Sequence, residues 1–416
     1  MWSHLKEKGF KLPKITAKKI SKQVKPVLRQ MEKVGIKVDL RVFDNLTKKL
    51  ERKAAILKSD ILALAGFDFN IASPLQMQEV LFEKLKLPTT DLKRTKNGIS
   101  TAASELKKIE SKHKIIPLIL EYREITKLLS TYLKPLPTMV DKNSRLHTTY
   151  GQDTSTSRLT SSDPNLQNIP IKGKYGLEIR KAFIADKGKK LIVADYSQIE
   201  LRVVACLAGD RVMEEAFLKG EDIHAKTASE LFNINIKNVN RAQRSLAKTV
   251  NFGILYGMSP YGLSQALSID QRNASEYIMK YFSIHTGIKD YCTRMIKIAK
   301  SDGQVETLFG YKRELTNIHS KSNNEREADE RIAINTPVQG TAAEILKLAM
   351  IELSKRLKGK KGKMLLTVHD ELVVEVPTKQ AKRVAKIVKE TMENVVKLCV
   401  PIEVEVGIGD NWEECK

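Results

Sequence analysis

The stretch that most constrains the fold is Leu191 to Arg202, LIVADYSQIELR. Leu191, Ile192, Val193 and Ala194 form an apolar run that ends on Asp195. A continuous run of this length suits a short strand covered on both faces. A carboxylate at the end of a buried strand is costly unless something cationic meets it. Two jobs stay open for Asp195. It, or Ser197, could cap the helix that carries Ile199, Leu201 and Val203, which is the commoner job for a strand-end aspartate. Alternatively it is a metal ligand, and two further motifs favour that choice.

Composition narrows the class. At 416 residues the chain exceeds one compact core, so two or three subdomains are expected. A formal net charge of +23 points to a polyanionic partner, nucleic acid above all, with a merely Lys-rich soluble surface as the bland alternative. Cys206, Cys292, Cys399 and Cys415 are scattered with no C-x-x-C. That argues against a zinc module or a disulfide frame and fits a reducing, cytoplasmic setting. The histidines show no H-E-x-x-H spacing, no run approaches a membrane span, and the N-terminus lacks the apolar core of a signal peptide.

Residues 1–25 carry eight lysines against one acid, Glu7, and read as a flexible basic tail or linker remnant. From Leu40, apolar residues recur in steps of three and four through Phe43, Leu46, Leu50, Ala54, Leu57, Ile61 and Leu64, predicting a long helix with Gly66 past its end. Ser73-Pro74 opens a second helix, Ser100 or Thr101 a third, and Pro117 a further long one through Ile125, Leu129 and Tyr132. Residues 26–140 thus read as an elongated helical hairpin whose loop Lys93–Gly98 is basic and could touch phosphates. The polar segment Thr154 to Pro170 is a surface loop, or a loop holding Arg158, Gln167 and Asn168 as hydrogen-bond donors to a ligand. Residues 205–350 look mostly helical, with another helix over 377–398. Lys363 to Val376 reads as a hairpin around His369-Asp370-Glu371, and Val404 to Gly409 as a strand.

Arg244, Lys248, Phe252 and Tyr256 are spaced by four and form one drifting stripe on a helix that Gly257 closes. A triphosphate would suit the cationic half and a sugar or base the aromatic half; a surface helix with snorkelling Arg and Lys is the plain alternative. Asp370 at a hairpin turn is commonplace on its own. Far in sequence from Asp195, though, it supplies the second carboxylate that a two-metal phosphoryl-transfer site needs.

Taken in order, DYSQIELR, R-x-x-x-K-x-x-x-F-x-x-x-Y-G and VHDELV resemble motifs A, B and C of family A DNA polymerases. SRLTSSDPNLQNIP, DIHAKTA, ETLFGYKRE, ERIAINTPVQGTAAE and VEVGIGDNW extend the resemblance from about Val27 to Trp412. It implies an α+β right hand with an antiparallel palm sheet: basic tail 1–25, thumb 26–140, palm 141–204 and 350–416, fingers 205–349. Asp195 and Asp370 would hold two magnesium ions, or manganese as a substitute, with the Tyr196 carbonyl as a further ligand and Glu371 in support. Arg244, Lys248 and His224 would bind a dNTP triphosphate, with Lys248 counted among the catalytic residues. Phe252 would pack on the sugar and base, Gln198 would join the nucleotide contacts, Glu200 would block a 2′-hydroxyl, and Tyr256 would stand at the templating position. Arg158, Gln167, Asn168, Asn335, Gln339 and His369 would hold primer–template DNA.

The implied activity is DNA-templated 5′→3′ synthesis by a monomer. The roughly 25 residues before the thumb are too few for an exonuclease domain, so proofreading is not expected, whether the chain is a fragment or a stand-alone module. Two rivals remain: a single-subunit RNA polymerase and a basic nucleic-acid-binding protein without catalysis.

Overall fold

The computed structural model describes residues 12–170 and 173–416; the first part of the expected basic tail lies outside them. The chain divides into two compact units. The larger holds the chain up to Ile36, His147–Gln167 and Ala185–Lys416. The smaller holds Lys37–Leu146 and Asn168–Ile184.

In the larger unit the chain enters through helix α1, Ala17–Val34, whose Thr16 hydroxyl accepts from the Lys19 amide. Residues 17–25 are therefore not tail, contrary to expectation. Ile20 and Val24 are fully buried, and Val27, Leu28 and Met31 continue the stripe. It packs α1 on the long helix Asn323–Arg356 and on the strand Lys363–Val368 described below. The lysines between these positions mask the stripe by raising the local charge, but on a helix they face away from it.

Strand β1 is Lys189–Tyr196, and its Leu191–Ala194 run is buried as the sequence predicts. Helix α2, Ile199–Ala208, follows. Its N-cap is Gln198 in the left-handed region, φ 54°, without a side-chain cap bond. Neither Asp195 nor Ser197 caps it, so the capping alternative for Asp195 falls. Buried Arg202 fixes α2 instead, donating to the carbonyls of Ser197 at 2.9 Å and Pro401 at 2.6 Å and to Glu403 at 2.6 Å.

One turn on, Cys206 is disulfide-bonded to Cys399, which corrects the expectation of four unpaired cysteines. The two lie 193 residues apart, so their spacing carried no sign of pairing, yet the fold brings their Cα atoms to 5.7 Å, within disulfide reach.

Helices α3 (Arg211–Leu218), α4 (Ile223–Phe232), α5 (Arg241–Leu255), α6 (Pro260–Leu267), α7 (Gln271–Ile284) and α8 (Thr286–Asp302) bear out the helical reading of this region. Asp210 and Asp222 cap α3 and α4, and an Asn240–Gln243 capping box starts α5. Each satisfies helix-start amides that would otherwise be orphaned. Helix α9, Asn323–Arg356, is buried along most of its C-terminal half.

The predicted hairpin is β2, Lys363–Val368, and β3, Glu371–Pro377. Helix α10, Ala381–Asn394, is shorter than expected because residues 378–380 form a separate turn. Strand β4 is Val404–Gly409, also as predicted. The antiparallel sheet runs β2–β3–β1–β4, with Asp195 in register between Glu371 and Glu405. Gly407 is required on β4: a Cβ there would meet the Cys415 carbonyl oxygen at 1.8 Å. This close approach lets the short turn Glu413–Cys415 lie against the sheet.

In the smaller unit, helix Leu40–Ala65 buries the predicted stripe and ends at Gly66, φ 81°. Helix Ile115–Leu128 packs against it. Ser73 and Pro74 open a helix as expected, whereas the next starts at Ala103, after Ser100 has turned the chain by accepting from the Ala102 amide. The basic loop is an exposed hairpin, Arg94–Thr95 with Gly98–Ile99. Among the described residues no helix is long and apolar enough to cross a membrane.

Candidate active site

The two carboxylates singled out from sequence meet at one end of the β1–β3 pair. Asp195 lies near the end of β1, and the next residue, Tyr196, donates its amide to the Asp370 carbonyl at 3.2 Å. Asp370 sits in the β2–β3 turn, behind His369 with φ 53°. Its carboxyl is pushed up to about 7, by burial first, then by the charges of Glu200 and Asp195, with Arg158 opposing. The Tyr196 ring is buried, and its hydroxyl donates to the Met392 carbonyl on α10 at 2.9 Å.

Glu371, facing Asp195 across the ladder, is buried. The Trp412 indole N–H donates to its Oε1 at 2.6 Å, and Lys416 Nζ lies 2.6 Å from its Oε2. The same ammonium is 3.9 Å from Asp195 Oδ2.

Beside Asp370 opens a cavity of about 230 Å³. Arg158, Gln167, Gln198, Glu200, Phe252, Tyr256 and His369 all line it, so the structure gathers residues scattered over more than two hundred positions. Glu200, buried on α2, accepts from the Tyr256 hydroxyl at 2.8 Å and pairs with the Arg158 guanidinium. Those two charge-assisted contacts offset the cost of burying its charge. Burial, and then Glu200, hold the Tyr256 hydroxyl well above its ordinary pKa. The Phe252 ring centre is 6.0 Å from that of Tyr256 and 5.8 Å from that of His224.

The loop carrying Arg158 is braced, Thr154 Oγ1 donating to the Arg158 carbonyl at 2.7 Å. Gln167 Nε2 donates to the Thr367 carbonyl at 3.4 Å. Helix α9 contributes Ala343 and Leu346 to the lining, with Gln339 and Asn335 one and two turns before Ala343 on the same drifting face. The Asn335 Oδ1 is buried without a hydrogen-bond partner.

Asp195, Tyr196, Glu371, Asn335 and Gln339 stand outside the lining itself, and four further expected site residues, His224, Arg244, Lys248 and Asn168, do not line the cavity either. His224 is buried, its Nδ1 3.1 Å from Asn251 Nδ2. Burial chiefly lowers it to about 4, with Lys248 and Arg244 adding to that and Asp222 opposing. Arg244 donates to Asp222 Oδ2 at 2.7 Å, and Lys248 is exposed on α5. Asn168 belongs to the smaller unit, where its carbonyl accepts from the Tyr132 hydroxyl at 2.5 Å. Sequence reasoning missed Asp222, Trp412 and Lys416. Only Asp222, a cap residue just before His224, carried a local signal.

A four-stranded antiparallel sheet that presents paired carboxylates beside a cavity walled by Phe252 and Tyr256, with mainly helical regions around it, defines an α+β class of fold. The family model for DNA polymerase family A matches residues 40–414, and the chain belongs to that family. It is 48% identical over 401 residues to DNA polymerase I of Caldicellulosiruptor bescii, covering 95% of this chain and 47% of the relative. It is 43% identical to the thermostable DNA polymerase I of Thermus aquaticus, covering 96% and 48%. The chain thus spans about half the length of these relatives. Among solved structures it resembles the POL domain of Pol1 from M. smegmatis in complex with DNA primer-template and dNTP, with a TM-score of 0.91 and 38% identity over 95% of this chain and 70% of that one.

Proposed function

We propose that this chain performs DNA-templated 5′→3′ DNA synthesis, adding dNTPs to a primer 3′-hydroxyl as a monomer, without proofreading of its own. The observation that carries the reading is the meeting of Asp195 and Asp370 beside a cavity whose wall holds Glu200, Phe252 and Tyr256. In the proposed hand, the β2–β3–β1–β4 sheet belongs to the palm, α3–α8 to the fingers, and the thumb, expected over 26–140, falls from Lys37 onward in the smaller unit.

The donor set fits hard divalent cations. Asp195 and Asp370 offer carboxylate oxygens and Tyr196 a backbone carbonyl, and burial, then the charges of Glu200 and Asp195, raise the proton affinity of Asp370, a cost that a cation relieves. Two magnesium ions held there would supply Lewis-acid stabilisation of the attacking and leaving oxygens.

The chain's own residues position and discriminate. Arg244 and Lys248 neutralise the triphosphate, Arg244 exchanging Asp222 for phosphate, while His224 lends a neutral imidazole. Phe252 packs on the sugar and base, and Gln198 lines the nucleotide side of the cavity. Glu200 fills the space of a 2′-hydroxyl, and Tyr256 holds the templating position. Arg158, Gln167, Asn335, Gln339 and His369 bind the primer terminus and the minor groove beside it. Closure of α5 on a matched nucleotide gives induced-fit selection.

Primer extension tests the reading. Asp195→Asn and Asp370→Asn should each cost about 3 kcal/mol or more of transition-state stabilisation, with primer–template affinity kept. Near wild-type extension by either variant overturns it. A mismatched, end-labelled primer incubated with magnesium and no nucleotide should stay full length; shortening that an Asp370→Asn control lacks overturns the absence of proofreading.

A further inference from the structure

We infer that Lys416 is a positioning residue for the carboxylates of the active site. Together with the Trp412 N–H it clamps Glu371, so that Asp195 and Asp370, rather than Glu371, present their oxygens to divalent metal. The inference rests on the polymerase reading above.

The geometry is specific. Glu371 is held at both oxygens, Oε1 by the buried Trp412 indole at 2.6 Å and Oε2 by Lys416 Nζ at 2.6 Å. The ammonium also reaches within 3.9 Å of Asp195 Oδ2. It is therefore one cation shared between a supporting carboxylate and a metal-binding one. The Lys416 side chain is 29% exposed and that of Glu371 4%, so the pair is only partly screened by water. The placement is built into the fold: Gly407 admits the Cys415 carbonyl against β4, and that contact delivers the next residue to the edge of the site.

Two consequences follow. A fixed positive charge beside Asp195 weakens the binding of any dication there. A Glu371 pinned at both oxygens stays out of the metal's coordination sphere, so bound metal keeps its productive arrangement. Loss of the clamp should then strengthen metal binding while slowing chemistry, a combination that simple loss of stability does not produce.

The test uses Lys416→Met, Lys416→Arg and Trp412→Phe in the full chain. Mn²⁺ binding is read by electron paramagnetic resonance without nucleotide, and single-nucleotide kcat and KM on primer–template are measured in parallel. Lys416→Met should bind Mn²⁺ roughly threefold to tenfold more tightly, through the lost repulsion. Its kcat should fall about tenfold, with KM for dNTP within about twofold of wild type. Lys416→Arg should restore both. Trp412→Phe, which keeps the ring packing and removes only the donor, should move both readouts the same way. Unchanged or weaker Mn²⁺ binding in Lys416→Met, or no rescue by arginine, overturns the inference. Asp195→Asn separates it from the reading beneath it. If that variant keeps wild-type Mn²⁺ affinity, the metal site itself is misassigned; if it loses Mn²⁺ while Lys416→Met binds as wild type, only the clamp fails.

Discussion

The Tyr256 hydroxyl donates to Oε2 of Glu200 at 2.8 Å, joining the C-cap of α5 to the first turn of α2 across the cavity. Glu200 could have been a plain helix-start acid, favoured by the dipole. Its contacts say otherwise, because it is buried and turned towards Tyr256 and Arg158 rather than to solvent. A packed, doubly held carboxylate is a rigid obstacle, and under the proposed function an extra hydroxyl on a bound sugar would have to displace it.

Glu200→Ala should therefore raise kcat/KM for CTP relative to dCTP by roughly 10- to 100-fold, the span that fit within a pocket commonly gives. Tyr256→Phe removes one donor and leaves Arg158 in place, so its change should be smaller and in the same direction. An unchanged CTP/dCTP ratio in Glu200→Ala would place the sugar gate elsewhere.

Affinity for primer–template should fall steeply with salt. The net charge of +23 motivates this, and each phosphate neutralised contributes about −0.9 to the log–log slope. With about six contacts the loss between 50 and 200 mM salt is on the order of a thousandfold. A slope near zero, measured by fluorescence anisotropy, would mean that the charge serves another partner.

The parts of this molecule that could be read in advance are those where local pattern and burial agree. Leu191–Ala194 is apolar without a break, and it became a strand paired on both sides. The step of three and four from Phe43 to Ile61 became one helix. Asp195 stands out because a carboxylate ending an apolar strand needs a reason, whereas Asp370, commonplace at a hairpin turn, stands out only in combination with the other motifs. What stayed hidden depends on proximity that only the fold creates. The Cys206–Cys399 bond closes over 193 residues, and the Lys416 contact arises because one glycine lets a turn settle on β4. Ile20 and Val24 were obscured differently, by lysines that raise the charge of a segment whose inner face is apolar.

The disulfide makes a direct prediction. Denatured without reductant, the protein should show two reactive thiols, Cys292 and Cys415, and four after reduction. Cys399→Ser should lower stability by about 2–5 kcal/mol, since the bond restricts a long loop in the unfolded chain. Four thiols in the untreated protein would show the bond unformed.

The last prediction concerns pH. His285, at the α7–α8 junction, is buried between two carboxylates: Nδ1 is 3.1 Å from Asp210 and Nε2 3.3 Å from Glu230, with the Tyr281 ring centre 4.3 Å away. Burial alone would lower its pKa, but hydrogen bonding and charge from Asp210 and Glu230 outweigh that and raise it above the usual 6.5. Below the unfolded value both states carry the proton, and the stabilising pair is fully present. As pH climbs from there towards the folded value, the unfolded chain gives up its proton first. Folded protein then binds more protons than unfolded, so stability falls with rising pH and levels off above the folded value. The melting temperature of the wild type should thus decline from pH 6 towards pH 9 more than that of His285→Gln, which keeps a hydrogen-bonding side chain and cannot titrate. Parallel curves for the two proteins would show that His285 carries the same charge in the folded and unfolded chains.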